Sequence, residues 1–378
     1  AGMFTDSNPS YYQQRGATGA SPNRLLFNRN GTFQNSGQSA IETYGRSSGA
    51  VLADLDNDGD LDLVVTNNTV PCTTNPRTLE PNHLYRNTGT GTFQDVSTTS
   101  GIRLADASSR AIGLLDYDND GLLDLFIVAD ALRGGGTSRL LRNRGNLVFE
   151  DATAAAGLPT NIQGLGIAVG DVSGDGWPDF FVAGGPSGDY ARNYLFVANR
   201  NGTFHEVSPG SFRWITNGAE DYTSGAAFGD VNRDGRLDLL VTQHFGSSEV
   251  QGRSTPPRLY VNNGTDASGN PILQDVTASA GLTGVTTKAP HGELQDFDND
   301  GWPDIYLSIK AETTSGPTPF IYRHTGTLTS GRPNFTPPSY SSLLYYPGGP
   351  TADYNRDGRL DVFGDEFRPE NPPPLFAN

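Results

Sequence analysis

The chain has 378 residues, with 42 acidic against 26 basic side chains, a net charge of −16, 47 glycines and 25 prolines. A hydrophobic share of 35% and a mean hydropathy of −0.45 go with the absence of any run of about 18 apolar residues, which excludes a helical membrane span. Nothing in the acidic balance supports a nucleic-acid partner, and the single Cys72 permits no disulfide within the chain.

At the N-terminus, Met3-Phe-Thr-Asp6 reads as a lone strand and residues 23–34 as two more. From Gly49 onward an acidic nonapeptide recurs in six copies. In chain order they are Asp54-Leu-Asp56-Asn-Asp58-Gly59-Asp60-Leu-Asp62, Asp116-Tyr-Asp118-Asn-Asp120-Gly121-Leu122-Leu-Asp124, Asp171-Val-Ser173-Gly-Asp175-Gly176-Trp177-Pro-Asp179, Asp230-Val-Asn232-Arg-Asp234-Gly235-Arg236-Leu-Asp238, Asp296-Phe-Asp298-Asn-Asp300-Gly301-Trp302-Pro-Asp304 and Asp353-Tyr-Asn355-Arg-Asp357-Gly358-Arg359-Leu-Asp361. Oxygen side chains at positions 1, 3, 5 and 9, with Gly at position 6 for the tight turn, are what a hard cation such as Ca2+ requires. The residue at position 7 completes each ligand set, and about six Ca2+ per chain are expected. Three or four carboxylates confined to one turn repel each other unless a cation compensates. Ser173, Asn232 and Asn355 lower the charge of their loops, which predicts weaker binding there.

The bidentate Glu that closes an EF-hand at position 12 is missing; Val65, Ile127, Val182, Val241, Leu307 and Gly364 stand in its place. Short apolar, β-prone runs follow each loop and read as buried strands, so each loop joins two strands. A further apolar stretch comes next, as in Leu84-Tyr-Arg-Asn87, Leu140-Leu-Arg-Asn143 and Leu259-Tyr-Val-Asn262, and then a fourth after a Gly turn, as in Gly91-Thr-Phe-Gln-Asp-Val96. That makes four strands per repeat, A to D, with the loop between A and B. The first Asp residues lie 62, 55, 59, 66 and 57 positions apart, the period of a propeller blade.

The expected fold is therefore an all-β propeller of four-stranded blades, a single domain over residues 1–378. Seven blades are favoured over six, with residues 1–35 taking part in ring closure and the last repeat, ending at Leu375-Phe-Ala-Asn378, borrowing its fourth strand from the N-terminus. Half of the 42 acidic residues fall at loop positions 1, 3, 5 and 9, so the acidity is metal-binding capacity rather than a sign of a basic partner. Sites of this kind bind at about 10⁻⁴ to 10⁻³ M in extracellular modules, which points to a secreted, extracellular or periplasmic location.

These residues resemble the VCBS/FG-GAP-type calcium propellers, and within them the cartilage acidic protein-like group and its bacterial relatives. The resemblance is fullest from Gly49 to Val96, and the loops are also similar to those of integrin α-subunit propellers, although the Gly-Ala-Pro that accompanies Phe-Gly in the integrin repeat does not stand beside Phe228-Gly229. It implies an extracellular, calcium-stabilised propeller used for adhesion or recognition of a protein or glycan. No His-Glu-x-x-His or Gly-x-Ser-x-Gly is present, so an enzyme is not expected; His291-Gly-Glu293 is the one pair that a hydrolase or lyase site at the channel mouth would use. Calcium is read as a structural staple, which moves recognition to the opposite face and its long B–C and D–A connections. Arg110, Tyr190, Trp214, Tyr222, His244 and His291 are the candidates there. A multivalent lectin would repeat one aromatic pocket in several blades, whereas these connections differ from blade to blade, which favours one composite face.

Overall fold

The computed structural model describes residues 22–43, 47–68, 81–131, 136–184, 192–207, 212, 215–216, 219–220, 223–243, 256–284, 289–308, 321–336, 349–363 and 375–376. The chain is all-β. A hairpin of β1 (Leu26–Arg29) and β2 (Thr32–Asn35) comes first. It matches the two strands expected over residues 23–34; Met3-Phe-Thr-Asp6, Cys72 and Gly364 lie outside the described residues.

Two four-stranded antiparallel sheets follow: β3 (Ser47–Ala53), β4 (Asp62–Asn67), β5 (His83–Asn87) and β6 (Phe93–Asp95), then β7 (Ser109–Leu115), β8 (Asp124–Ala129), β9 (Arg139–Asn143) and β10 (Phe149–Asp151). The third takes β11 (Gly166–Gly170), β12 (Asp179–Ala183), β13 (Tyr194–Ala198) and β14 (Phe204–Glu206). An unanticipated hairpin of β15 (Ile215–Thr216) and β16 (Ala219–Glu220) stands in the D–A connection. The fourth sheet is β17 (Thr223–Gly229), β18 (Asp238–Gln243), β19 (Arg258–Thr265) and β20 (Pro271–Asp275); the fifth is β21 (Gly292–Gln295), β22 (Asp304–Leu307), β23 (Ile321–Thr329) and β24 (Arg332–Thr336). A three-stranded sheet of β25 (Thr351–Ala352), β26 (Asp361–Phe363) and β27 (Leu375–Phe376) ends the chain. Every sheet of three or four strands follows chain order, and in each an acidic loop joins the first two strands. This is the blade of a propeller. No helix among the described residues is long and apolar enough to cross a membrane.

The chain divides into two compact units: residues 1–167 with 187–192 and 198–206, and residues 168–186 with 193–197 and 207–378. In the first, Leu55, Val64 and Leu84 of one repeat share a core with Leu125, Ile127 and Leu141 of the next, while Leu63 and Val65, on the other face of β4, pack with Ile41, Tyr85 and Phe93. In the second, Leu240 and Leu259 pack with Ile305, Leu307 and Tyr322. Successive strand residues point to opposite faces, so a strand covered on both sides reads as an unbroken apolar run. That is the pattern after each loop: all six residues of β4 and of β8 are buried.

The fourth strand is held by a polar motif that recurs with the repeat. Asp95, Asp151 and Asp275 each accept the N–H two residues on, from Ser97, Thr153 and Thr277, at 2.9 Å. The hydroxyls of those three residues accept the backbone N–H of Leu84, Leu140 and Leu259 at 2.9, 3.0 and 3.1 Å. One Asp-x-Ser/Thr unit thereby ties strand D to strand C and satisfies a buried backbone donor.

Candidate metal centres

Each nonapeptide folds around its own carboxylates. Asp54 accepts the N–H groups of Asp58 and Gly59 at 3.1 and 3.0 Å, one on each oxygen. The equivalent pair forms at Asp116, Asp171, Asp230, Asp296 and Asp353, all between 2.8 and 3.2 Å. Position 5 then accepts the N–H of position 7: Asp58 from Asp60, Asp120 from Leu122, Asp175 from Trp177, Asp234 from Arg236, Asp300 from Trp302 and Asp357 from Arg359, at 2.8 to 3.0 Å. With its N–H turned inward to position 5, position 7 is left with its carbonyl as the group that could ligate, whatever its side chain.

The backbone is left-handed at two points. Gly at position 6 has φ between 84° and 91° in all six loops. Position 4 is left-handed as well, with φ from 56° to 63° at Asn57, Asn119, Arg233, Asn299 and Arg356 and 72° at Gly174. Asn and Gly are the residues that tolerate this region, which accounts for position 4 of four loops; an Arg there is strained. Arg233 is compensated by the Trp302 ring, 4.5 Å from its guanidinium carbon, and by the Gly301 carbonyl, to which it donates. Trp302 is itself stacked on His324, with ring centroids 4.5 Å apart.

Position 9 closes each loop. Asp62, Asp124, Asp238 and Asp304 are fully buried; one oxygen of each accepts the N–H of position 2 at 2.8 to 3.3 Å, and the other accepts a strand-C N–H at 2.7 to 2.9 Å. Asp361 takes the N–H of Tyr354 in the same way, and Asp179 departs by taking that of Ser173 at position 3. Burial pushes the Asp124 and Asp238 carboxyls up to about 7 and that of Asp304 up to about 6, and raises Asp62 too. A nearby divalent cation would reverse that shift.

Position 3 carries the observation that most favours an ion. The Asp56 side chain is 7% exposed, and Oδ1 of Asp56 and of Asp118 is buried without a hydrogen-bond partner. An unpaired buried carboxylate oxygen costs more than the roughly 1–3 kcal/mol of a neutral group. Burial, reinforced by Asp58 and by Asp120, holds both carboxyls above the usual range. Ligand atoms of Asp54, Asp56 and Asp58 lie within 4.8 Å of one another, as do those of Asp116, Asp118 and Asp124 and those of Asp296, Asp298 and Asp300. The donors are all oxygen, the chemistry of a hard cation rather than a transition metal.

Strand C supplies residues that the loops alone do not reveal. Arg86 reaches Asp56 and Asp58 at 3.1 and 3.2 Å, Arg142 reaches Asp118 and Asp120 at 2.7 and 3.1 Å, and Arg323 reaches Asp298 at 2.5 Å. Their visible trace is the Arg of Leu-Tyr-Arg-Asn and its variants. The following Asn clips repeats together: Asn143 donates to the Leu55 carbonyl of the preceding loop at 2.7 Å, and Asn262 to that of Val172 at 2.8 Å.

Of the proposed recognition residues, Arg110 pairs through Nη1 with the fully buried Asp130 at 3.1 Å, an internal tie. His291 Nε2 contacts Glu293 Oε1 at 2.9 Å, and Thr351 donates to the other Glu293 oxygen at 2.6 Å; the histidine remains half exposed. Tyr190, Trp214, Tyr222 and His244 lie outside the described residues, as do large parts of the B–C connections.

Residues 13–65, 72–127, 116–182, 172–241 and 296–364, well over half of the chain, match the FG-GAP-like repeat model. The chain belongs to the FG-GAP-like repeat family. The first FG-GAP-like match begins at residue 13 and takes in β1 and β2, which places that hairpin in the repeat array. The chain is also similar to cartilage acidic protein 1 of Mus musculus, 25% identical over 234 residues, which are 58% of this chain and 32% of the relative. The Homo sapiens protein of that name is 29% identical over 225 residues (55% and 30%), and the Xenopus tropicalis one 24% over 214 residues (53% and 29%). The chain thus spans about a third of the length of these relatives.

Proposed function

We propose that this chain is a calcium-stapled FG-GAP propeller that acts outside the cell by binding a protein or glycan partner, with Ca2+ held in the six A–B loops as a structural ion. The observation that carries this reading is the pair of buried, unpartnered oxygens on Asp56 and Asp118 at the centre of all-oxygen loops. Such an arrangement is costly without a cation and matches the ligand preference of Ca2+. The similarity to proteins named for cartilage supports an extracellular setting, where free calcium is high enough to fill sites of about 10⁻⁴ to 10⁻³ M. Ions held in tight interstrand turns stabilise the folded state by mass action and leave the opposite face, built from the B–C and D–A connections, for the partner. Binding rather than catalysis is the activity proposed.

Thermal unfolding of the full chain with and without excess EGTA, joined to metal analysis of the purified protein, tests the staple. One ion per loop and a large loss of melting temperature on chelation are expected. Near-zero calcium with an unchanged melting temperature would sink the reading.

A further inference from the structure

Three of the six loops carry Asp at position 3 (Asp56, Asp118, Asp298), and three carry a neutral residue (Ser173, Asn232, Asn355). Strand register picks out a strand-C position for each repeat, described in the first five. The residue after Asp at position 9 pairs with Tyr85, Leu141, Phe196, Tyr260, Tyr322 or Phe376. The residue following each of those is Arg86, Arg142, Val197, Val261, Arg323 or Ala377. Among the described residues, Arg therefore stands at this strand-C position beside every loop with Asp at position 3 and beside neither the Ser173 nor the Asn232 loop, although in the latter Arg236 reaches Asp234 Oδ2 from position 7 of the loop itself.

The contacts explain the match. Arg86 and Arg142 each touch Oδ2 of positions 3 and 5, while Arg323 touches Oδ2 of Asp298. The opposite oxygen of Asp56 and of Asp118 is the buried one without a partner. Where position 3 is Asn, its own amide takes over part of this work: Asn232 donates to Asp234 Oδ2 at 3.0 Å and Asn355 to Asp357 Oδ2 at 2.9 Å. Val197 and Val261 are buried and reach no carboxylate. Counted over positions 1, 3, 5 and 9 and the residue after the strand-C register partner, the six repeats match in net charge, before the charged side chains Asp60, Arg236 and Arg359 at position 7 are added.

We propose that Arg86, Arg142 and Arg323 are positioning residues for the bound cation: Arg86 and Arg142 hold the outer oxygens of the Asp side chains at positions 3 and 5, and Arg323 that of Asp298, so that the inner oxygen of position 3 is presented to the ion. This rests on the calcium reading of the loops. Groups that orient a metal ligand from behind typically change metal affinity about 10–100-fold when removed. A guanidinium that merely stood in the cation's place would compete with the ion, and its removal would tighten binding.

Calcium titration of the metal-stripped full chain by calorimetry separates these cases. The variant R86V/R142V/R323V is expected to bind three of its ions about 10–100-fold more weakly. Adding D56N, D118N and D298N, which copies the charge pattern of the Asn loops, is expected to recover most of that loss, as a general packing defect would not. Should the multiple variants fail to fold, R86V against R86V/D56N asks the same question at one loop. Unchanged or tighter binding in the Arg variants, or no recovery on adding the Asn substitutions, overturns the proposal while leaving the staple intact. A wild-type chain that takes up no calcium overturns both.

Discussion

Removing calcium is expected to invert the pH dependence of stability, and the position-9 aspartates give the size of the effect. An unfolded Asp titrates near 4, whereas burial lifts Asp124 and Asp238 to about 7 and Asp304 to about 6 in the metal-free fold. A folded-state pKa raised above the unfolded one means stability that is fully present below the unfolded value and is lost as pH rises through the folded value. Between pH 5.5 and 8 the metal-free fold should lose roughly 2 kcal/mol at each of Asp124 and Asp238 and roughly 1 kcal/mol at Asp304. Those losses are a large share of a typical stability of about 5–15 kcal/mol and correspond to a fall of several degrees in melting temperature. With saturating calcium the trend should reverse, because the ion binds the ionised carboxylates and each proton at low pH competes with it. Differential scanning calorimetry in EGTA and in excess calcium across this range reads both limbs. A metal-free melting temperature that is flat or rises from pH 5.5 to 8 would refute the argument.

Three substitutions separate the parts of a loop. Gly121→Ala meets no atom within 4 Å, so its cost is conformational alone; at φ 84° about 1–2 kcal/mol is expected, seen as a lower melting temperature without loss of fold. Asp124→Ala strands the N–H groups of Tyr117 and Asn143 and should destabilise the chain by about 1–3 kcal/mol per group even in EGTA, whereas Asp118→Asn should matter chiefly when calcium is present; urea unfolding with and without metal distinguishes them. Arg110→Ala removes one charged hydrogen bond to the fully buried Asp130 and should cost about 1.5–3 kcal/mol; a loss below about 1 kcal/mol in the same assay would return Arg110 to the candidates for partner recognition.

The parts of this molecule that were legible in its sequence are those set by local chemistry. Glycine at position 6 is demanded by φ near 85°, acidic residues at 1, 5 and 9 by the N–H groups they accept, and the apolar runs after each loop by burial on both faces of strand B. The period of about sixty residues then gave the four-stranded unit, but not the Asp-x-Ser/Thr tie that ends it, whose hydroxyl acts on a backbone N–H of the neighbouring strand. What stayed hidden depends on register. Arg86 lies 28 residues from Asp58, and only the pairing of Leu63 with Tyr85 sets its side chain beside that carboxylate. Arg110 looked like a rim residue for the same reason: its proximity to a loop was visible, but its partner Asp130 lies just past the far end of β8. A residue that acts within one turn can be read from its neighbours in sequence, while one that acts across a sheet can be read only once the strand pairing is known. In a repeat protein the copies supply a substitute for that knowledge, because a change at position 3 of one loop is answered by a change in strand C of the same repeat, and the six copies within this one chain are enough to expose the pairing of Asp with Arg.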